Sequence, residues 1–128
     1  MPAGLDTGFF FALQDRHPVA VRVWREQKSA TSVIVLYELN KLFLRGEFKE
    51  WPTIIDDIGT ATEILMLRKE SALKASHIAH GTGMPGLDAL ILSSLLDAEC
   101  TEIYTTDSHF DLYRKDGITI TNLSRSPE

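Results

Sequence analysis

The alternation of short apolar runs with longer helical runs constrains this chain more than any other feature. Strands are predicted at the start of 3–8, at the start of 29–46, and over 60–67, 101–106 and 118–123. Helices are predicted over 9–15, 17–27, the remainder of 29–46, 47–59, 68–81, 88–98 and 108–115. Strands that alternate with helices in this way predict an α/β fold with a mainly parallel sheet.

The chain is predicted to form a single domain. Its 128 residues suffice to bury a core, and no linker, repeat or low-complexity stretch divides them. We therefore expect one domain over 1–123, followed by a polar C-terminal tail over 124–128.

The composition favours a cytoplasmic protein that does not attract nucleic acid through bulk charge. No segment approaches the roughly 20 apolar residues of a membrane span, and no signal peptide is expected, because Asp6 interrupts the first apolar run. The single cysteine, Cys100, is interpreted as a small buried side chain in a reducing compartment. The net charge of -5 is unfavourable for binding nucleic acid by charge alone, although carboxylates that hold metal ions also count as negative.

Four acidic residues fall where the predicted sheet presents its carboxyl edge. Asp6 follows the first strand and Asp107 follows the fourth. Glu38 lies on the first turns of the helix that leaves the second strand, and Asp88 opens the helix 88–98. Because ligands of such folds bind at the carboxyl ends of the strands, these four side chains are the candidate functional residues.

Each acid also has an ordinary structural interpretation. Asp6 suits a turn, Asp107 suits a helix cap, and Asp88 suits the positive end of a helix dipole. Glu38 shares its helix face with basic residues, as in an exposed charged stripe. Together, however, four carboxylates at one edge would repel each other by roughly 4 kcal/mol per close pair. Protons or a hard cation must neutralise such a cluster, and oxygen ligands favour Mg²⁺ or Mn²⁺.

Four motifs resemble the acidic motifs of PIN-domain nucleases, and their order and spacing are most similar to those of VapC-type toxins of toxin–antitoxin pairs. The motifs are "LDTGFF", "VLYELNKL", "GLDALIL" and "TTDSHFD", and the resemblance spans about residues 3–123. It implies a three-layer sandwich with a mainly parallel central sheet and helices on both faces. It also implies hydrolysis of RNA phosphodiester bonds with Mg²⁺ or Mn²⁺, a small antitoxin protein as partner, and a homodimer.

The resemblance assigns roles to individual residues. Asp6, Glu38, Asp88 and Asp107 match the acidic positions that are implied to be catalytic and to hold the metal. Thr105 matches a hydroxyl often found beside that metal.

Asp111 and Gly8 are two further positions that bear on the site. Asp111 is either a further acid of the site or an exposed residue of its helix. Gly8 departs from the family, which often has a polar residue there, so one supporting hydrogen bond is expected to be absent.

Basic and aromatic residues suggest where partners bind. Lys41 and Arg45 share the helix face of Glu38, and Arg114 and Lys115 follow Asp107, so they are candidate contacts for RNA phosphates or ordinary surface charges. Aromatic side chains at 9–11, 24 and 51 either line a groove for an antitoxin or a second copy, or belong to the core.

Other sequence features carry less information. His17 and His109 are interpreted as surface or capping residues, and the spacing of His77 and His80 does not match a zinc motif. A phosphatase of the haloacid dehalogenase type would need a second Asp at the position of Gly8. The remaining alternative is a PIN-like module that binds RNA or protein without cutting.

Overall fold

The computed structural model of the chain describes residues 1–124, which contain one five-stranded sheet. The strands are β1 (Ala3–Leu5), β2 (Ser29–Ser32), β3 (Glu63–Leu65), β4 (Glu102–Thr105) and β5 (Thr119–Asn122). Their order is β3-β2-β1-β4-β5, and every neighbouring pair is parallel. The predicted α/β fold is confirmed, with a sheet that is parallel throughout.

Helices cover both faces of this sheet. Within residues 1–124 they are α1 (Thr7–Gln14), α2 (Pro18–Glu26), α3 (Val33–Leu44), α4 (Ile54–Ala61), α5 (Lys69–Thr82), α6 (Gly86–Asp97) and a 3-10 helix (Ser108–Leu112). The chain runs from β1 outward to β3 through α1–α4, and then returns through α5 and α6 to β4 on the other side of β1. Because such crossovers are right-handed, the outward and return helices lie on opposite faces, which gives three layers.

The core lies between the central strands and both helical layers. Its largest fully buried side chains are Phe9, Phe10, Phe110, Leu5, Leu39, Ile54, Ile58, Ile91, Leu92, Leu95, Ile103 and Val23. Every residue of β1 and β2 is buried, because helices cover both faces. The polar residues of β2 are therefore satisfied internally, as where the Thr31 hydroxyl donates to the Leu5 carbonyl at 2.7 Å. Cys100 is fully buried, as predicted.

The region 47–67 differs from the prediction. Instead of a helix over 47–59, the helix is Ile54–Ala61, and the strand predicted over 60–67 is only Glu63–Leu65. Phe48 has a φ of 59° and is buried, with its ring 4.6 Å from that of Phe11. A left-handed, anchored residue is incompatible with a continuous helix, and its burial depends on a distant part of the chain.

Two helix ends also differ from the prediction. α5 does not end at Gly81 but continues to Thr82, and Gly83, with a φ of 78°, closes it. The helix predicted over 108–115 is a short 3-10 helix, because Tyr113 returns to an extended conformation (φ -98°, ψ 122°).

Within residues 1–124, no helix has the length and apolar character needed to cross a membrane. Of the predicted polar tail, Ser124 lies in a turn, where its backbone N–H donates to the Asn122 side chain at 2.9 Å. Residues 125–128 lie outside the described part of the chain.

Candidate active site

The four acids predicted from the sequence line one pocket at the carboxyl edge of the sheet. Asp6 follows β1 and Asp107 follows β4, the two strands between which the chain changes its direction across the sheet. Glu38 comes from α3, and Asp88 comes from the first turn of α6. The pocket has a volume of about 230 Å³ and is lined by Asp6, Thr7, Gly8, Phe11, Glu38, Asp88, Ile91, Thr106 and Asp107. Ligands of open α/β sheets bind at this kind of reversal point.

Asp6 is the most deeply buried of the four acids, with 3% of its surface exposed. As the cap of α1, its Oδ1 accepts a hydrogen bond from the backbone N of Phe9 at 3.2 Å, and its Oδ2 accepts one from Thr105 Oγ1 at 2.6 Å. Burial raises the pKa of Asp6 to about 7, with the two hydrogen bonds opposing this shift and the charges of Asp107 and Asp88 adding to it. A cation in the pocket would favour the ionised form.

Two threonine hydroxyls hold the acids in register. Thr105 is fully buried at the end of β4, and the hydroxyl that donates to Asp6 also accepts from the backbone N of Asp107 at 2.9 Å. Thr7 Oγ1 donates to Glu38 Oε1 at 2.5 Å and so joins α1 to α3. The sequence analysis did not identify Thr7 as a site residue. It predicted that the helix starts at residue 9, whereas α1 starts at Thr7 because Asp6 acts as its N-cap.

Asp88 lies both at a helix N-terminus and beside the other acids. It is the third residue of α6, and 16% of its side chain is exposed. Burial, followed by the charge of Asp107, raises the pKa of Asp88 to about 6; His109 opposes this shift and Glu38 adds to it. A helix dipole stabilises the ionised carboxylate and lowers its pKa. Burial and the surrounding acids act on Asp88 in the opposite direction to the dipole.

His109 contacts two of the acids, and the sequence analysis did not predict this contact. Its Nδ1 lies 3.0 Å from Asp107 Oδ1 and 3.2 Å from Asp88 Oδ2, and its backbone N donates to Asp107 Oδ1 at 2.8 Å. The Asp-x-His spacing at a helix cap is the signal that could have found it. By contrast, His17 caps α2 as interpreted, since its Nδ1 accepts from the backbone N of Val19 at 3.1 Å.

Among residues 1–124, no lysine or arginine neutralises the acid cluster. Over residues 1–124, no lysine or arginine forms an ion pair with Asp6, Glu38, Asp88 or Asp107, and the His109 imidazole is the basic side chain that contacts two of them. Ligand atoms of Asp88, Asp107 and His109 lie within 4.8 Å of one another. Clustered carboxylate oxygens that no lysine or arginine neutralises fit a hard divalent cation.

The sequence model of the PIN domain matches residues 4–116, a span that includes all four acids. The chain belongs to the PIN domain family. No curated protein matches it.

This PIN domain has a fold similar to those of three solved toxin–antitoxin structures. A toxin–antitoxin complex from Klebsiella pneumoniae has a TM-score of 0.72 at 15% identity, covering 94% of this chain and 97% of that one. VapBC2 from Rickettsia felis, bound to a DNA fragment from its promoter, has a TM-score of 0.71 at 20% identity and coverages of 95% and 98%. DNA-bound VapBC from Salmonella typhimurium has a TM-score of 0.70 at 19% identity and coverages of 96% and 98%.

The other predicted residues of this PIN domain lie outside the acid pocket. Lys41 and Arg45 are exposed at the C-terminal end of α3, one and two turns beyond Glu38. Asp111 lies on the 3-10 helix and lines a separate pocket together with Arg114 and Lys115, among others. One pair of basic residues thus follows Glu38 in the chain, and the other pair follows Asp107.

The aromatic residues divide between the core and a surface groove. Phe9 and Phe10 are fully buried core residues, whereas Phe11 is half-buried and lines the acid pocket. Trp24 and Trp51 pack edge to face, with ring centroids 6.3 Å apart. They line a groove of about 730 Å³ together with Leu13, Gln14, Asp15, Arg16, Val21, Arg25 and Glu50.

Proposed function

We propose that this PIN domain is a Mg²⁺- or Mn²⁺-dependent endoribonuclease and the toxin of a toxin–antitoxin pair. The observation that carries the proposal is the convergence of four carboxylates from four different elements on one pocket, without a lysine or arginine partner among residues 1–124. A protein gains nothing in stability from such repulsion, so the cluster points to a bound cation.

In this proposal Asp6, Asp88 and Asp107 are the residues that would hold the metal. When bound, the metal lowers the pKa of water and neutralises charge on the phosphate. Asp6 is fixed by Phe9 and Thr105 hydrogen bonds, so it would define the floor of the site. A rigid, buried ligand of this kind keeps the reacting groups in register.

Glu38 has a different environment from the three aspartates. It accepts a hydrogen bond from Thr7 through Oε1, which leaves Oε2 for a further partner in the pocket. We assign it to completing the ligand shell or to orienting the attacking water, whose proton it would accept as general base.

RNA phosphates on either side of the cleaved bond would meet the basic residues that follow Glu38 and Asp107 in the chain. Lys41 and Arg45 extend from the C-terminal part of α3, and Arg114 and Lys115 follow the 3-10 helix. Contacts of this type position a nucleic acid without reading its sequence.

The proposed protein partners are a small antitoxin and a second copy of this chain, in the cytoplasm. The groove that contains Trp24 and Trp51 is aromatic, partly apolar and next to α1, whose first turn begins the active site. Aromatic side chains of this kind are typical of interface anchors. The three solved structures of similar fold are themselves toxin–antitoxin complexes.

A cleavage assay tests the nuclease proposal. Total RNA and a structured RNA are incubated with the purified chain in Mn²⁺ or Mg²⁺, and in excess EDTA. We expect cleavage with either metal, none with EDTA, and at least about a 100-fold lower rate for Asp88→Asn. Asp56→Asn, which removes an exposed acid of α4, is the matched control and should cut normally.

The outcomes separate the two functional classes. Cleavage at full rate in excess chelator refutes the metal-dependent mechanism. Binding of Mn²⁺ without cleavage of any RNA supports the non-catalytic binding module instead.

A further inference from the structure

Gly8 lies in unusually close contact with the loop after β4. A Cβ atom built on Gly8 would lie 2.0 Å from Thr106 Oγ1 and 2.9 Å from the Thr106 backbone N. Real Cβ atoms do not approach other atoms so closely. The side chain of Thr106 therefore occupies the space in which a side chain at position 8 would begin.

Three threonine side chains lie beside the acids, and the hydroxyl of one of them makes no hydrogen bond within residues 1–124. Thr7 donates to Glu38, and Thr105 donates to Asp6 while accepting from the Asp107 backbone. Over residues 1–124, the Thr106 hydroxyl makes no hydrogen bond to the protein, although Thr106 is half-buried and lines the same pocket as the acids. A hydroxyl can donate one hydrogen bond and accept two, and the protein uses none of these at Thr106, whose Oγ1 lies beside Gly8 in the pocket wall.

We propose that Thr106 is a positioning residue of this site, whose hydroxyl would bind a water of the divalent cation's shell. The inference rests on the proposed metal-dependent function. A pocket of about 230 Å³ holds a cation together with several waters, since each water takes roughly 30 Å³. Mg²⁺ and similar ions keep several of their waters when bound by few carboxylates, and outer-shell hydrogen bonds orient them.

A purely steric role for Thr106 makes a different prediction. If the side chain only fills the space beside Gly8, then Thr106→Val, which keeps the branched shape, leaves metal binding unchanged. If the hydroxyl binds a water of the ion, the same substitution weakens metal binding, and Thr106→Ser, which keeps the hydroxyl, restores it.

The test is the binding of Mn²⁺, measured by titration calorimetry and by electron paramagnetic resonance of the free ion, on the full chain. We expect Thr106→Val and Thr106→Ala to raise the Kd for Mn²⁺ by about 10-fold, in the range found for outer-shell partners. Thr106→Ser should stay within about threefold of the wild type on the same scale. Thr119→Val, at an exposed position of β5, is the matched control and should bind like the wild type.

Thermal melts in EDTA establish that each variant is folded. Thr106→Ala decides the question if Thr106→Val does not fold, because it adds no bulk beside Gly8. Wild-type affinity in a folded Thr106→Val or Thr106→Ala variant overturns this inference and leaves the proposed function intact. Failure of the wild type itself to bind Mn²⁺ overturns the metal site, and the inference with it.

Discussion

The buried carboxyl group of Asp6 predicts that the metal-free protein loses stability as the pH rises. Its pKa is about 7 in the folded protein, compared with the ordinary aspartate value of 3.8. The folded state therefore binds the proton more tightly than the unfolded state, and its stabilising contribution is complete below pH 3.8 and is lost as the pH passes 7. At 1.36 kcal/mol per pKa unit, the full loss is about 4 kcal/mol, of which about 2.5 kcal/mol falls between pH 5 and pH 8.

Urea unfolding in EDTA at several pH values between 5 and 8 measures this loss. Asp6→Asn is the comparison, because its side chain has no proton to release. The substitution should remove most of the decrease in unfolding free energy between pH 5 and pH 8. Its amide nitrogen cannot accept from Thr105 Oγ1, which costs about 1 kcal/mol. The variant should therefore be about 3 kcal/mol more stable than the wild type at pH 8, and close to it in stability at pH 5. Equal pH slopes in the two proteins would refute the assignment of a raised pKa to Asp6.

Further predictions concern the acids, the Gly8 contact and assembly. Asp88→Asn should raise the melting temperature of the metal-free protein, because it relieves repulsion with Asp107, and should reduce the stabilisation by Mn²⁺ in the same melts. A lower melting temperature with undiminished stabilisation by Mn²⁺ would indicate that Asp88 only complements the helix dipole. At 100 times its Kd, Mn²⁺ should add about 2.7 kcal/mol to the unfolding free energy of the wild type at pH 8, and no shift in urea melts would contradict a metal site. Gly8→Ser should destabilise the chain by about 1–3 kcal/mol through overpacking, and adding Thr106→Gly should recover part of this loss. If the two substitutions lower the free energy of urea unfolding by strictly additive amounts, the contact is disproved. Light scattering at micromolar concentrations should give a dimer or a complex with a co-purified antitoxin, and a monomer mass without a partner would count against both.

Most of the secondary structure could be predicted from local sequence patterns. The prediction was wrong where contacts with distant parts of the chain override these patterns. The alternation of strands and helices is a local property, because each element needs its own hydrophobic period and its own caps. The loop around Phe48 is different, since it takes its conformation from burial against Phe11, 37 residues earlier in the sequence. A pattern that extends over a few residues cannot register such a contact.

The sequence by itself determined the fold class and the four acidic positions of this protein. Polar residues that directly follow strands must lie at the carboxyl edge of a parallel sheet, so Asp6 and Asp107 could be placed there without coordinates. Only the tertiary structure decided the order of the strands, the insertion of His109 between Asp88 and Asp107, and the contact of Gly8 with the loop after β4. These features depend on how segments far apart in the chain pack together, and packing is settled by the shape of the whole core rather than by any local run of residues.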